Sequence, residues 1–365
     1  MIDENRSFGT MVGDAEFVRK TLIVLGIIVF ALLLWKLADV LLLAFGAVLV
    51  AIILHASAEA LVRYLNVPSR WSLMVASIVI FAALLGVIAL FGTQIRSQFA
   101  SVMERLPFAV DNLTNNLGIG PVTDDLSKML DSVPTGGLAA RIAGIGGVIL
   151  SGLGDMLLVL IAGIYIAANP RLYARGLVKL FPIRHHEQVE SSLKASGQAL
   201  KLWLMSQLIA MVCVAVLSTL AYWLIGLPSP YALGLIAGLA DFIPFLGPIF
   251  GALPALLIAF TVSGEAALWT VLAVLAIQQI EGNVIFPLVA RSVIAIPPAL
   301  ALFAIVVGSV LFGTLGLIFG FPLAVVAYVL VKKLYVRETL GESTPVPGES
   351  EEQTAKAAEA AGPSA

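Results

Sequence analysis

Two carboxylates stand where charge is costly. Asp241 lies between the uncharged runs 202–240 and 242–264, and Glu281 follows the uncharged stretch 266–280. A charge at the centre of a bilayer costs roughly 2.5–3.5 kcal/mol on insertion scales, so each such group needs a reason. Around Asp241 the chain reads Gly234-Leu-Ile-Ala-Gly238-Leu-Ala-Asp241-Phe-Ile-Pro244-Phe-Leu-Gly247-Pro248-Ile-Phe-Gly251-Ala-Leu-Pro254. Each interior proline costs a regular helix about 3 kcal/mol. The expectation is a broken helix or helical hairpin, whose free carbonyls and helix ends would be open to a solute or ion. The structural alternative is that Asp241 caps a helix beginning near Pro244. Gly234/Gly238 and Gly247/Gly251 have the spacing that lets helices approach closely.

A second constellation is Gln278-Gln279-Ile-Glu281-Gly282-Asn283, followed by Pro287 and Arg291. Gln278 and Glu281 are three apart and share a helix face, as do Gln279 and Asn283, four apart. Glu281 either pairs with Arg291, a structural role, or takes up a proton or cation. A third is the set Gly308, Gly313, Gly316, Gly320 and Pro322 in the uncharged run 292–331. It reads as a hinge or as a close helix seam. Glu59 and Asp155 also lie within or near apolar runs.

These residues need elements to hold them. Of 365 residues, 60% are hydrophobic and 12% charged, about half the charge of a soluble domain. The mean hydropathy is +1.02. That composition predicts an all-α polytopic membrane protein, because only helices satisfy their own backbone in lipid over runs of about 20 residues. Eight spans are expected: Leu22–Trp35, Val40–Val62, Trp71–Ile95, Gly144–Ala168, Leu202–Ile225, Tyr231–Val262, Ala266–Leu288 and Ala299–Val331. The sixth and eighth are too long to be simple, so broken or re-entrant helices are expected in the C-terminal half.

Lys and Arg collect on the cytoplasmic side. Residues 169–201 carry Arg171, Arg175, Lys179, Arg184, Lys194 and Lys201 against Glu187 and Glu190. Arg63 and Arg70 follow span two, and Lys332, Lys333 and Arg337 follow span eight. All fall on one side if both termini are cytoplasmic. The expected organisation is a cytoplasmic N-terminus (1–20), spans one to three (21–95), an extracytoplasmic segment (96–141) and span four (142–168). A cytoplasmic basic segment (169–201), spans five to eight with the transport site (202–331) and a largely disordered cytoplasmic tail (332–365) complete it. In 96–141, Phe99, Val102, Leu106, Val110, Leu113 and Leu117 recur at helical spacing, giving either a lid or an amphipathic packing element.

Other chemistry lacks its residues. The net charge of −2 excludes a basic nucleic-acid binder. Cys213 is the single cysteine, so no intrachain disulfide or cysteine zinc site can form; it reads as a packing residue. His185 and His186 read as solvated loop histidines rather than metal ligands. There is no HExxH and no Walker A sequence. No metal, cofactor, catalytic group or enzymatic activity is expected.

Three blocks in order, Asp241-Phe-Ile-Pro-Phe-Leu-Gly-Pro248, Gln279-Ile-Glu-Gly-Asn-Val-Ile-Phe-Pro287 and Gly313-Thr-Leu-Gly-Leu-Ile-Phe-Gly-Phe-Pro322, resemble the autoinducer-2 exporter (AI-2E transporter) family, the PerM-like permeases. The resemblance covers about residues 15–335. Many members have histidine before the proline at Pro298, where this chain has Pro297. The resemblance implies a multipass transporter of the bacterial inner membrane without ATPase domains, and a homo-oligomer with the pentamer as one candidate. Members are linked to export of autoinducer-2, and others to sodium or lithium exchange for protons.

The resulting expectation is a secondary transporter exporting a small polar organic solute, such as a signalling molecule. Asp241 and Glu281 would couple it to a proton or cation gradient, with Gln278, Gln279 and Asn283 beside them. Pro244, Gly247, Pro248, Gly251, Pro287, Gly313, Gly316 and Gly320 would form the breaks and hinges. The alternatives are a Na+(Li+)/H+ antiporter and a non-transporting membrane scaffold.

Overall fold

The computed structural model describes residues 4–86 (side chains from Phe17 on), 152, 154–285, 287, 296–337, 339–342, 344, 346 and 347. The insert 96–141, the first part of span four, Arg291 and most of the tail lie outside the described residues.

Within them the chain is helical and has no strand. Helix α1 is Glu4–Lys36 and α2 is Ala38–Leu65, separated by a one-residue break at Leu37. Asn66, left-handed at φ 52°, ends α2 by donating its N–H to the Leu61 carbonyl. Helix α3 is Ser69–Gly86 and α4 is Gly154–Ala168, which turns by 89° at Asn169 into α5, Pro170–Val178. Helix α6, His186–Ile225, joins the basic segment to span five without interruption and stops at Gly226, φ 81°. Together with the helical stretches 264–285 and 298–337 that follow, six helices among the described residues are long and apolar enough to cross a membrane, or seven counting the bent pair as one span. The protein is therefore a polytopic all-α membrane protein. The apolar side chains of α1 between Leu22 and Trp35 are exposed, as a face against lipid requires.

The sixth expected span is two helices. Helix α7 is Pro230–Ala240, α8 is Gly247–Val262, and residues 241–246 reverse the chain between them. We call this pair hairpin A. Its seams are made by glycine. A Cβ on Gly238 would stand 2.5 Å from the Met211 carbonyl oxygen of α6, and one on Gly251 would stand 2.7 Å from Ala237 Cα. Both GxxxG spacings are thus close-approach seams, α7 on α6 and α8 on α7. The prolines behave unequally. Pro248 sits in the first turn of α8, where its missing N–H costs nothing, while Pro254 is carried inside the helix.

The seventh span is α9, Gly264–Ile280, started by Ser263, whose hydroxyl accepts from Ala266 N at 3.0 Å. It widens into a π-turn over Glu281–Ile285. The eighth, α10 (Pro298–Leu330), is also two arms, because Gly313 takes φ 59°, ψ −137° and reverses the direction. A Cβ on Gly308 would lie 2.5 Å from the Gly316 carbonyl, and one on Gly320 would lie 2.8 Å from that of Ala304. These pairings run antiparallel, so residues 298–312 and 314–330 form hairpin B. A π-turn, Val331–Arg337, follows. The sixth and eighth spans, expected to be broken or re-entrant, are thus two helical hairpins. The physical reason is local: a positive-φ glycine and a turn holding Pro244 cannot continue a helix.

The core is built where α2, α6 and hairpin B meet. Leu49, Ala199, Leu200, Trp203, Leu204, Val325 and Val329 are buried together, with Phe45, Phe242, Phe319 and Phe321 packed on them. Trp203 touches Phe242 of hairpin A and Phe321 of hairpin B, with ring centroids 5.8 and 5.1 Å away. Val346, only 3% exposed, joins the same core. Arg337 also donates to the Thr344 carbonyl at 2.7 Å, so the described tail residues 344, 346 and 347 pack against the bundle.

Candidate functional site

Asp241 is 2% exposed and sits at the end of α7, first in the turn of hairpin A. It does not cap the next helix. Helix α8 begins after Leu246 with no side-chain cap, and Asp241 is held by its own N–H to the Ala237 carbonyl at 3.1 Å. The capping alternative fails because five residues of turn separate Asp241 from Gly247, the first residue of α8. Pro244 is in that turn, and Phe245 takes φ 67°, a conformation that costs a residue with a Cβ. The start of α8 lies directly on the Asp241 backbone: a Cβ on Gly247 would stand 2.5 Å from Asp241 Cα. Gly247 is required here for close approach.

The partner of Asp241 is Gln207 of α6. Its amide donates to the Asp241 carbonyl oxygen at 2.7 Å and to the carboxylate at 3.4 Å. Sequence reasoning passed over Gln207, although it is the sole amide side chain in the run 202–240. Glu281, half-buried, follows the end of α9 and opens the π-turn, which packs against α6. Gln278 donates to Glu281 at 3.2 Å, one helical turn away on the same face. The arrangement is two carboxylates flanked by two amides, drawn from α6, hairpin A and the end of α9. A carboxylate held among apolar helices favours a bound proton or cation over a bare charge. The amides can donate to a carboxylate and accept from a protonated one.

The polar cluster of α9 divides. Gln278 and Glu281 are half-buried and bond each other, whereas Gln279 and Asn283 are exposed and bond each other at 3.0 Å. Gln279 and Asn283 are therefore not part of the buried group. Pro287 is exposed, beyond the π-turn. Beside Gln278 a narrow crevice runs between α6, hairpin A and α9, lined by Val214, Ser218, Tyr222, Ala237, Pro248, Ala252, Val274 and Ile277. It is apolar along its walls, with Ser218 and Tyr222 toward one end and Gln278 at the other. Gly313, Gly316 and Gly320 belong to hairpin B and line its turn and seam, not this group.

The other singled-out polar residues have separate explanations. Glu59 of α2 accepts from Lys201 at 2.5 Å, which gives a structural reason for an acid in an apolar helix. Asp155 is exposed at the start of α4. His185 bonds Gln188 at 2.8 Å and His186 the Phe181 carbonyl at 2.9 Å, both exposed. Among the described residues no three His, Cys, Asp or Glu groups gather as a metal site would need. Cys213 is half-buried on α6.

Known proteins place this architecture. Over 312 residues, 80% of this chain, it is 24% identical to "Putative transport protein YueF" of Bacillus subtilis (strain 168), covering 83% of that protein. Over 167 residues, 46% of this chain, it is 31% identical to "Putative transport protein YrrI" of the same organism, spanning about half (47%) of that relative's length. A Thermotoga maritima protein named "Putative transport protein" is 24% identical over 217 residues, 58% of this chain and 67% of its own. Residues 22–336 match the profile of the AI-2E family transporter. With that match over most of its length, on a fold of apolar helices and two helical hairpins, the chain belongs to the AI-2E transporter family.

Proposed function

We propose that the protein is a secondary transporter of the bacterial inner membrane that exports a small polar organic solute, coupled to a proton or cation gradient. One observation carries the reading. Asp241, buried to 98% at the turn of a broken helix, is held by the Gln207 amide, and half-buried Glu281, bonded by Gln278, stands just beyond α9. A carboxylate in that setting is expensive unless it binds a proton or cation, which makes it suited to coupling. Broken helices with polar groups inside are where transporters of many folds bind their cargo. The basic segments support a cytoplasmic side for both termini, and the reading takes the working unit as a homo-oligomer such as a pentamer without enzymatic activity.

The deciding experiment is flux in proteoliposomes. Autoinducer-2 is the first test solute, assayed with and without proton and sodium gradients. Asp241→Asn and Glu281→Gln should each reduce flux at least tenfold at unchanged protein insertion; activity indifferent to both would reject their role. A Na+(Li+)/H+ antiporter is the second reading, favoured by the same acid pair. It predicts that a sodium or lithium gradient alone moves protons, read with a trapped pH dye. The absence of any flux, with stable co-purifying subunits, would leave a scaffold.

A further inference from the structure

Helix α5 is short, basic and turned out of the bundle. Its direction follows from α4, which packs along α2 in the same sense. A Cβ on Gly46 would lie 3.4 Å from Val159, and one on Gly163 would lie 3.1 Å from the Ala47 carbonyl oxygen. Ala167 shares a buried cluster with Ala51, Leu54 and Ala58. Helix α2 is long and apolar enough to cross the membrane, so α4 runs across it too. The 89° bend at Asn169 therefore lays α5 along the plane of the membrane. Pro170 suits the start of α5, because its missing N–H would have no partner there. Tyr165, one turn before the bend, is 66% exposed, a position that suits an amphipathic ring at the headgroups.

The surface of α5 is divided. Val178 is its buried residue, and the helix packs on α6. Arg171 and Arg175 are four apart and Lys179 continues the row at the helix end, so the three form one stripe. Leu172, Tyr173 and Leu177 are exposed beside it, and Leu180, Phe181 and Ile183 extend the apolar surface into the next turn, Ile183 at 84%. Residues 170–186 hold Arg171, Arg175, Lys179 and Arg184 and no acid. Within the described residues none of these four has a hydrogen bond or ion pair. Glu190 of α6 is held below the ordinary carboxylate range chiefly by its bond to Lys194, 2.7 Å away, and only weakly by the Arg175 charge. A helix of nine residues is too short to hold itself in water. A bilayer surface supplies both things this one lacks: a boundary for the apolar side chains and negative charge for the stripe.

We propose that α5 is an interfacial anchor that binds anionic phospholipid headgroups, with Arg171, Arg175 and Lys179 on the phosphates and Leu172, Tyr173 and Leu177 in the boundary beneath them. A guanidinium meets phosphate oxygens through a planar fork of donors, and an ammonium adds a point charge. The end of α2 lies at the same face, because α2 and α4 run in one direction. There Arg63 stands 5.7 Å from the ring of Tyr64, which is exposed, repeating the pairing of a base with an interfacial tyrosine. The ligand is a lipid and not free phosphate, because the apolar side chains enter the bilayer as the stripe reaches the headgroups.

Local quenching tests this. Cys213→Ala leaves a chain without cysteine, and Leu177→Cys then carries a bimane on the exposed side of α5. The full chain is assembled in nanodiscs of phosphatidylcholine and phosphatidylglycerol in equal parts, with bromine on the acyl chains of one lipid or the other. The bimane should be quenched by bromine and little by aqueous iodide. Brominated phosphatidylglycerol should quench about twofold more than brominated phosphatidylcholine. Exchanging Arg171, Arg175 and Lys179 together for Gln should bring that ratio to one, and each single exchange should lower it part of the way, which keeps the test open if the triple variant does not assemble. Added inorganic phosphate, or Lys194→Gln, should leave the ratio of the parent unchanged. Strong iodide quenching, equal quenching by both lipids, or protection from both quenchers, as contact with a second copy would give, overturns the proposal. So does a ratio that free phosphate or Lys194→Gln abolishes. No substrate is needed, so the outcome stands apart from the transport reading.

Discussion

Gln207→Leu tests whether the buried acid is held as described. Leucine keeps the approximate volume on α6 and removes the amide, losing the 2.7 Å bond to the Asp241 carbonyl and the 3.4 Å contact to its carboxylate. A hydrogen bond is worth about 0.5–1.5 kcal/mol net in water-soluble proteins, and interhelical bonds in membranes average about 0.6 with a maximum near 1.7. The shorter bond dominates, because hydrogen bonds weaken steeply with distance. The carbonyl it leaves is in a turn with no intrahelical partner, which adds to the loss. The expected destabilisation is about 1–2 kcal/mol, or a fall of about 2–5 °C in Tm on the scale of large domains. Thermal unfolding in detergent, followed by tryptophan fluorescence, measures it; Trp203 meets Phe242, next to Asp241, edge to face. A cycle with Asp241→Asn isolates the carboxylate contact, since asparagine keeps the carbonyl bond, and the coupling should be about 0.5 kcal/mol or more. A Gln207→Leu chain as stable as the parent, or strictly additive effects, would refute the arrangement.

Further perturbations follow from the packing. Gly316→Leu would drive its side chain into the Gly308 backbone across hairpin B, and should cost more than 3 kcal/mol and sharply lower the yield of folded protein in size-exclusion chromatography, while Gly282→Ala, with open space at its Cβ, should match the parent. Lys201→Ala should change stability by less than about 1 kcal/mol in thermal unfolding, because Glu59 is 62% exposed at its side chain and such pairs are screened. Val346→Asp would bury a charge among Leu49, Ala195, Val325 and Val329, and should release the tail to limited proteolysis near residue 340 without altering the insertion of the helices.

Composition and run length determined by themselves that this is an all-helical membrane protein, since a continuous apolar run of about 20 residues satisfies its own backbone in lipid only as a helix. They also marked Asp241 and Glu281, because a charge in an apolar run is visible without any contact. The breaks at Pro244 and Gly313 were legible as well, as residues that interrupt a helix wherever it runs. Tertiary structure decided the rest. Glycine spacing says that helices approach but not which helix, and here Gly238 chose α6 whereas Gly251 chose α7. Side-chain direction divided Gln278 and Glu281 from Gln279 and Asn283, a separation that helical spacing permitted but did not orient. Gln207, 34 residues before Asp241, became its partner only once the chain reversed, because a hydrogen bond depends on distance in space and the sequence records distance along the chain. The same reversals turned long apolar runs into paired arms, since hydropathy registers burial in lipid and is blind to direction.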